Sequence, residues 1–336
     1  MFKTKPILFA LTTAFLLVTA CGEPEHWHAG AWQAVIPLDN VHPSAMAAST
    51  RGVYFVDRTG AHNTVYEYAD GKITEAYVGS SDIQLCDVAA YGNDVWAGGE
   101  SDRGAFLVHL EDGVWRAVVD GDGTYSYFLH VAAAGPGTCW LVSKKGAEYG
   151  LVKYAGNELT AYPAAGNPIA ITSAGEGRYI YAVDLGGRII SSSFDGGATW
   201  GADKIEWGVP GAALGSVREL SAAGENLYMV ASFKNAGADA FGVIKREGNP
   251  GAGKYEPIFY SFQGPYISGL ASISFPRDDT GVATGENATV FFTGGTPYLE
   301  EVPMANFYLV TADPKGGWWA FMDPHNGGPI TLMHHD

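Results

Sequence analysis

Charged side chains are scarce in this sequence, and basic ones are the scarcest. Asp and Glu number 36 against 20 Lys and Arg, and these four types make up only 17% of the 336 residues. A chain with a formal net charge of −16 repels the phosphates of nucleic acids and the head groups of anionic lipids. The composition therefore excludes nucleic acid as a partner and favours a solvated acidic surface.

Sequence motifs of common enzymes and cofactor sites are also missing. The chain has no G-x-S-x-G, H-E-x-x-H or P-loop pattern, and none of its three cysteines belongs to a C-x-x-C-H haem motif. Adjacent carboxylates such as Asp278 and Asp279 are typical of a turn, because only their separation in space could mark a glycosidase pair. The sequence predicts no cofactor and leaves an enzymatic activity uncertain, with non-catalytic binding favoured.

A long apolar run occurs only at the N-terminus, and it is too short to span a bilayer. Lys3 and Lys5 precede the run Ile7–Val18, and the residues Val-Thr-Ala-Cys at 18–21 resemble the lipobox of bacterial lipoproteins. We expect a signal peptide at 1–20 and acyl chains such as palmitate on Cys21. The short tether would span 21–25 and a single domain 26–336.

This N-terminal pattern predicts a location and a charge. The mature chain would be held to a membrane of the bacterial cell envelope through its lipid, and Gly22 after the cysteine favours the outer membrane. Without Lys3 and Lys5, 18 basic residues face 36 acidic ones, a net charge of −18. Cys86 and Cys139 then remain, and an oxidising compartment permits a disulfide between them as well as two separate thiols.

Glycine and aromatic residues are abundant, and short apolar strands recur at a nearly constant spacing. The chain has 45 Gly and 13% aromatic residues, as expected for many strands joined by tight turns. The second residue of each recurring strand falls at Tyr54, Trp96, Trp140, Tyr181, Tyr228, Val282 and Trp319. A period of about forty residues with four strands per unit is typical of β-propeller blades.

Other features keep the same phase and predict how the ring is built. A strand of small residues precedes each apolar strand and suits the crowded axis, whereas Asp-Gly or Gly-Asn turns follow it and join the outer strands. Seven units predict an all-β, seven-bladed propeller, with a six-bladed ring as the alternative. The segment 26–38, which contains Trp32, would supply the last unit's outer strand, so that the N- and C-terminal strands pair and close the ring.

Residues 188–200 carry the most regular hairpin. Ser193, Asp195, Gly197, Thr199 and Trp200 form the pattern S-x-D-x-G-x-T-W, which resembles the Asp-box (BNR) repeat of sialidase-like propellers. The sixth unit, residues 272–295, is similar to the repeats of photosystem-assembly-factor-like propellers. These resemblances imply the fold, with the Asp and Thr bonded to the turn and the Trp packed beneath it. The arginine set of sialidases is missing, so sialic-acid hydrolysis is not expected.

Strand order places the polar connections between blades on one loop face. We expect this face to bind a partner. Its candidate residues are Asp57, Arg58, Glu100, Asp102, Arg103, Lys144, Tyr125 and Tyr266, with His62, Lys145, Asp184, Lys234, Asp239, Asp323 and His325 among the further polar residues on the same connections.

Two other groups of residues could carry chemistry. Asp87, His130 and Glu219 occupy matching positions on the innermost strands and could point into the axial channel. No metal site is predicted, although His26, His28, His334 and His335 are weak candidate ligands if the chain ends meet. Both groups also suit ordinary solvated positions.

The sequence as a whole favours a monomeric, non-catalytic binding or scaffold protein that recognises an envelope protein or a glycan. The alternative is a glycan-active hydrolase or lyase with a pocket on the propeller axis. An enzyme should bring perturbed carboxylates or a histidine together at the channel, whereas a binding protein should present a broad aromatic and polar patch.

Overall fold

The computed structural model describes residues 28–29, 32–57, 60, 62–121, 123–205, 212–235, 238–262, 269–325 and 327–336. The expected signal peptide, Cys21 and the tether at 21–25 lie outside these residues, as do His26, Arg58 and Tyr266. Among the residues described, no helix is long and apolar enough to cross a membrane.

Alternating apolar sequence and two-residue turns make this part of the chain a succession of β-strands. Asp70 and Gly71, for example, join two paired strands with φ angles of 52° and 77°, as a tight hairpin turn requires. The strands are β1 (His28–Ala29), β2 (Trp32–Pro37), β3 (Pro43–Ala48), β4 (Val53–Asp57), β5 (Thr64–Ala69), β6 (Lys72–Val78), β7 (Gln84–Tyr91), β8 (Asp94–Ser101), β9 (Gly104–Glu111), β10 (Val114–Asp120), β11 (Tyr127–Gly135), β12 (Thr138–Lys145), β13 (Glu148–Ala155), β14 (Glu158–Tyr162), β15 (Pro168–Ala174), β16 (Tyr179–Asp184), β17 (Ile189–Ser193), β18 (Gly201–Lys204), β19 (Ala212–Ala223), β20 (Asn226–Asn235), β21 (Ala238–Glu247), β22 (Lys254–Phe262), β23 (Gly269–Arg277), β24 (Thr280–Thr293), β25 (Thr296–Ala312), β26 (Trp318–Pro324) and β27 (Thr331–His335).

Strands that follow one another in the chain pair antiparallel into sheets. Five sheets have four strands each: β3 to β6, β7 to β10, β11 to β14, β15 to β18 and β19 to β22. A sixth sheet has seven strands in the order β1-β2-β27-β26-β25-β24-β23. In β25, residues 296–301 pair with β24 and residues 305–312 pair with β26, so one long strand serves two neighbours in succession.

The two ends of the described chain meet in this last sheet. Gln33 of β2 lies opposite His334 of β27, and Pro37 lies opposite Thr331. Trp32 is 0% exposed and packs on Phe307, with 5.1 Å between the ring centroids. The N-terminal segment is thus part of the folded core.

The first strand of each repeat carries a β-bulge at the same place. These strands are β3, β7, β11, β15, β19, β23 and the second half of β25, and residues from all seven line one channel of about 320 Å³. A bulge shifts the register by one residue and increases the local twist. The residues skipped by the pairing are Ser44, Cys86, Leu129, Ile169, Arg218, Ala271 and Tyr308.

The apolar core fills the spaces between neighbouring sheets. Tyr54, Trp96, Trp140, Tyr181 and Tyr228, the aromatic positions that revealed the repeat, are each 0% exposed. The cluster around Tyr54 takes residues from β3 to β6 and from β7 to β9, and the cluster around Trp96 continues into β11 to β13. Each sheet therefore buries both faces against its neighbours and holds its inner strand at the channel.

The hairpin at 193–200 has the contacts that its sequence pattern implies. Asp195 accepts hydrogen bonds from the Thr199 N–H (2.8 Å) and the Thr199 hydroxyl (2.6 Å), and these bonds hold the pKa of Asp195 at about 2. Trp200 donates from its indole to Gly197 O at 3.0 Å and packs edge-on against Trp140. Trp200 is only half-buried. The hairpin fixes the connection from β17 to β18.

Candidate functional site

The candidate residues at the ends of the second strands have different environments. Asp57, at the end of β4, is 1% exposed and accepts a hydrogen bond from Gly60 N–H, so it holds its own loop together instead of facing outwards. Arg103 forms an ion pair with Asp120, and Asp102 beside it is exposed. Tyr125 is half-buried, and its carbonyl accepts a hydrogen bond from Ala105 N–H. These residues shape the rim more than they present free groups.

A polar notch brings several of the other candidates together. It is a cavity of about 320 Å³ lined by His62, Gln84, Cys86, Glu100 and Tyr127, with apolar contributions from Leu85 and Leu129. The four elements involved are the loop before β5, strands β7 and β8 of the second sheet, and β11 of the third. We call this cavity the loop notch. It is where residues from three repeats meet on the predicted face.

An aromatic pair with a lysine lies at the Tyr127 wall of the loop notch, and Tyr127 is the member that lines the cavity. The hydroxyl groups of Tyr127 and Tyr149 are 2.7 Å apart, and Lys144 Nζ lies 5.4 Å from the Tyr127 ring centroid and 5.9 Å from that of Tyr149. Burial and the hydrogen bond with Tyr149 raise the pKa of Tyr127 to about 12, so its phenol stays protonated near neutral pH. The wall thus offers hydroxyl groups, aromatic faces and an ammonium group, next to the carboxylate of Glu100.

The sequence analysis missed Gln84 as a member of this site and Tyr149 as the hydrogen-bond partner of Tyr127. Tyr149 lies opposite Lys144 across the β12–β13 hairpin, and Gln84 lies opposite Glu100 across β7 and β8. The sequence did carry a signal for Tyr149, because the turn at Gly146 fixes the register in which Tyr149 lies opposite Lys144.

The axial channel is the second polar site. Asp87 accepts hydrogen bonds from Val88 N–H (2.9 Å) and Val131 N–H (2.8 Å), and its Oδ2 lies 3.2 Å from His130 Nδ1. Glu219 accepts a hydrogen bond from Ile273 N–H at 2.9 Å. These carboxylates therefore connect one inner strand to the next, and the structure brings Asp87 and His130 into contact.

Glu219 has an unusual proton affinity for a glutamate. Burial raises the pKa of Glu219 to about 7, with Asp87 adding to the increase and His130 opposing it. Ser272, which is buried, also contacts Glu219 and accepts a hydrogen bond from Val310 N–H at 3.0 Å. A carboxyl group that titrates near neutral pH, together with an Asp–His pair in a cavity, is the kind of arrangement found at functional sites.

The terminal histidines do not converge on one point. His334 Nε2 lies 3.2 Å from Asp313 Oδ2, whereas the His335 ring packs against Phe291 and Trp32. His28 lies opposite Gln33 in the backbone register, two strands from His334. Within the described ranges, no group of three or more His, Cys, Asp or Glu side chains could hold a metal ion.

The two described cysteines are separate thiols. Cys139 is buried in the core beside Trp96, where burial raises the pKa of its thiol well above the usual value. Cys86 is half-buried in the loop notch. The sequence allowed a disulfide between them, and the structure contains none.

Comparison with solved structures places the chain in a fold class. YCF48 from Cyanidioschyzon merolae has a TM-score of 0.63 at 14% identity, over 91% of this chain and 99% of that one. Hydrazine synthase from Kuenenia stuttgartiensis has a TM-score of 0.62 at 12% identity, over 90% and 98%. The WD40 β-propeller domain of Doa1 has a TM-score of 0.59 at 11% identity, over 91% and 97%.

These likenesses confirm an all-β propeller and, at such identities, show the fold alone. The YCF48 likeness also agrees with the expected similarity to photosystem-assembly-factor-like propellers. No family model and no curated protein matches the sequence.

Proposed function

We propose that the chain is a lipid-anchored protein of the bacterial cell envelope, built on a seven-bladed Asp-box propeller that closes by pairing β2 with β27. Seven first strands that share one channel and one bulge position support the blade count. The hydrogen bonds of Asp195 and Thr199 support the Asp-box assignment. The lipobox-like residues 18–21 support the anchor.

The lipid anchor is tested by replacing Cys21. In a bacterial host, the wild-type chain should incorporate labelled palmitate and sediment with membranes, whereas Cys21→Ser should do neither. If Cys21→Ser remained labelled and membrane-bound, the cysteine would not be the acylated residue.

The function that the geometry supports best is recognition of a protein partner by the loop notch, without catalysis. The observation that carries it is that Glu100 and Tyr127 line one cavity and that Lys144 Nζ lies 5.4 Å from the Tyr127 ring centroid. Preformed side chains on packed strands lose little conformational entropy on binding. A propeller of the same fold, solved as "YCF48 bound to D1 peptide", has a TM-score of 0.60 at 16% identity over 91% of this chain and 96% of that chain. That protein shows that the fold can hold a peptide.

The test compares two double variants of equal net charge. Glu100→Ala with Lys144→Ala removes the carboxylate of the loop notch and the ammonium group beside Tyr127, and Glu158→Ala with Lys72→Ala removes an exposed pair at the outer hairpin turns. Chemical crosslinking in native envelopes should give a protein adduct with wild type and with the outer pair, and lose it with the notch pair. An adduct that survives the notch variant would contradict the proposal. Binding to a glycan array that depends on the notch would replace the protein with a glycan.

A second candidate is a glycan-active hydrolase or lyase with its pocket on the axis. The specific observation in its favour is the channel set of Glu219, with its pKa of about 7, and the contact between His130 and Asp87. Turnover of a glycan that is abolished by Glu219→Gln and by His130→Asn, but kept by the notch pair, would establish it. Equal turnover in all of these variants would assign the activity to a contaminant.

A further inference from the structure

A second cavity on the loop face lies between the fifth four-stranded sheet and β23. It has a volume of about 270 Å³ and is lined by parts of β19, β20 and β21 and by the start of β23. Its floor is apolar, because it is formed by the side chains of Phe241 and Leu270, which are 3% and 1% exposed. Its rim carries Arg218, Lys234 and Asp239. We call this cavity the arginine pocket.

Arg218 is an exposed cation that faces a cavity instead of a carboxylate. Among the described residues, Arg218 forms no ion pair with a carboxylate, and the same is true of Arg51, Arg178, Arg188 and Arg277. Of these five arginines, Arg218 is the one that lines this cavity. An arginine side chain presents a planar fork of N–H donors that matches a carboxylate.

The surroundings keep the guanidinium group accessible. Gly269 lies beside it, at a distance where even an added Cβ would be 4.0 Å from Nη1. Because Arg218 is the bulge residue of β19, it also lines the mouth of the axial channel. A ligand in the arginine pocket would therefore meet the guanidinium group from the open side.

Two other polar groups define what the pocket can accept. Lys234 Nζ lies 3.6 Å from Asp239 Oδ1, and both side chains are exposed, so this pair is screened by water and leaves the pocket with a net positive charge from Arg218. Ser232 adds a hydroxyl group, already 3.0 Å from Ser216 Oγ. A cationic rim above an apolar floor complements a molecule with one anionic end and one apolar body.

We propose that the arginine pocket binds a small organic carboxylate with an aromatic or branched aliphatic body. The carboxylate pairs with the guanidinium group of Arg218, and the apolar body rests on Phe241 and Leu270. Charge-assisted hydrogen bonds of this kind are strong and directional. This site is separate from the loop notch, and its failure would leave the function proposed for the notch untouched.

The test uses 3-phenylpropanoate as the probe and 3-phenylpropanamide as its uncharged analogue, with affinities measured by NMR titration of the mature chain. Wild type should bind the acid, and Arg218→Gln should weaken it by at least about tenfold, the usual cost of one charged hydrogen bond. Arg218→Lys should recover part of the affinity. Arg277→Gln is the matched control, because it removes an exposed arginine at the other end of β23.

Each remaining outcome overturns the proposal. One such outcome is that wild type does not bind the acid at about 10 mM, a concentration that reveals even millimolar affinity. Another is that the amide binds as tightly as the acid, which would remove the role of charge. A third is that Arg218→Gln binds as wild type does, or that Arg277→Gln loses as much affinity, which would show that net charge and not this pocket is responsible. Unchanged melting temperatures of the variants exclude loss of fold as the cause.

Discussion

Glu219 combines two roles in one side chain. Its carboxyl group accepts the Ile273 N–H and so ties β19 to β23, while the surrounding inner strands exclude much of the water that would stabilise its charge. Asp87 makes the same kind of tie between β7 and β11 but accepts two backbone N–H groups and contacts His130. Burial of Glu219 outweighs its hydrogen bonds with Ser272 and Ile273 and raises its pKa from the ordinary 4.5 to about 7.

This difference predicts how stability depends on pH. The pKa of Glu219 is about 7 in the folded chain against 4.5 for an ordinary Glu, so between these values the folded state keeps a proton that the unfolded state has released. The Glu219 contribution to stability is therefore present below pH 4.5 and is lost as the pH rises to 7. Glu219→Gln keeps the acceptor for Ile273 N–H and should be about 3 kcal/mol more stable than wild type at pH 8, and equal to it at pH 4.

Urea unfolding across this pH range measures the effect, and the exposed Glu158→Gln serves as control. The explanation fails if Glu219→Gln retains the wild-type decline between pH 4.5 and 7.

The buried ion pair of Arg246 and Asp203 leads to a second prediction at the scale of single residues. Arg246 Nε lies 2.9 Å from Asp203 Oδ2, the two side chains are 0% and 5% exposed, and Gly253 N–H also donates to Asp203. Arg246→Met should destabilise the fold by about 3 to 5 kcal/mol, because it leaves a buried carboxylate without its cation. Adding Asp203→Asn removes that charge and keeps the acceptor, so the double variant should unfold at higher urea concentration than the single one. A double variant no more stable than Arg246→Met would show that lost packing, not an uncompensated charge, is the cause.

At the scale of elements, the hairpin between β17 and β18 shows how a turn is joined to its neighbour. Gly197 has a φ of 96°, and a Cβ there would come within 2.5 Å of the Trp140 ring, so glycine is required both by the backbone and by the packing. Trp200 packs edge-on against the same ring, with 5.7 Å between the ring centroids. The hairpin of one sheet is thereby packed against the second strand of the sheet before it.

Trp200→Ala should therefore reduce stability, but by less than a fully buried tryptophan would. The indole is half-buried, and the substitution removes one hydrogen bond and one edge-on ring contact. We expect a loss of about 2 kcal/mol in the free energy of unfolding, below the range for core aromatics. Trp200→Phe, which keeps the ring contact and loses the indole N–H, should recover about half of it. A melting temperature of Trp200→Ala equal to that of wild type would contradict this account of the hairpin.

The elements were largely predictable, and the site was predictable only in part. The aromatic repeat positions and the Asp-Gly turns located the strands, because burial and two-residue turns leave a periodic signal in the sequence. The burial of Asp57 was not predictable, since its loop contact with Gly60 depends on the local fold. The same holds for the continuous pairing of β25 with two neighbours, since Pro303 between its two halves would suggest a break in the strand. Arg218 was missed because a bulge turns it towards the cavity, and bulges carry no clear sequence signal.

At the scale of the whole molecule, the two ends of the described chain meet in one sheet. The seven-stranded sheet contains β1 and β2 from the start of the described chain and β23 to β27 from its end. The pairing of β2 with β27 covers the outer edge of β27. It also makes an early segment, only a few residues beyond the proposed lipid anchor, part of the core.

Trp32→Ala tests this closure. Trp32 is 0% exposed and lies against Phe307, Phe291 and His335, so its removal opens a cavity in the sheet that joins the chain ends. We expect a loss of about 3 to 5 kcal/mol in the free energy of unfolding, measured in urea. Gln33→Ala, at the neighbouring exposed position of β2, should change stability by less than about 0.5 kcal/mol. If Trp32→Ala were as harmless as Gln33→Ala, the N-terminal strand would not be part of the cooperative fold, and a ring of six closed blades would account for the stability better than seven.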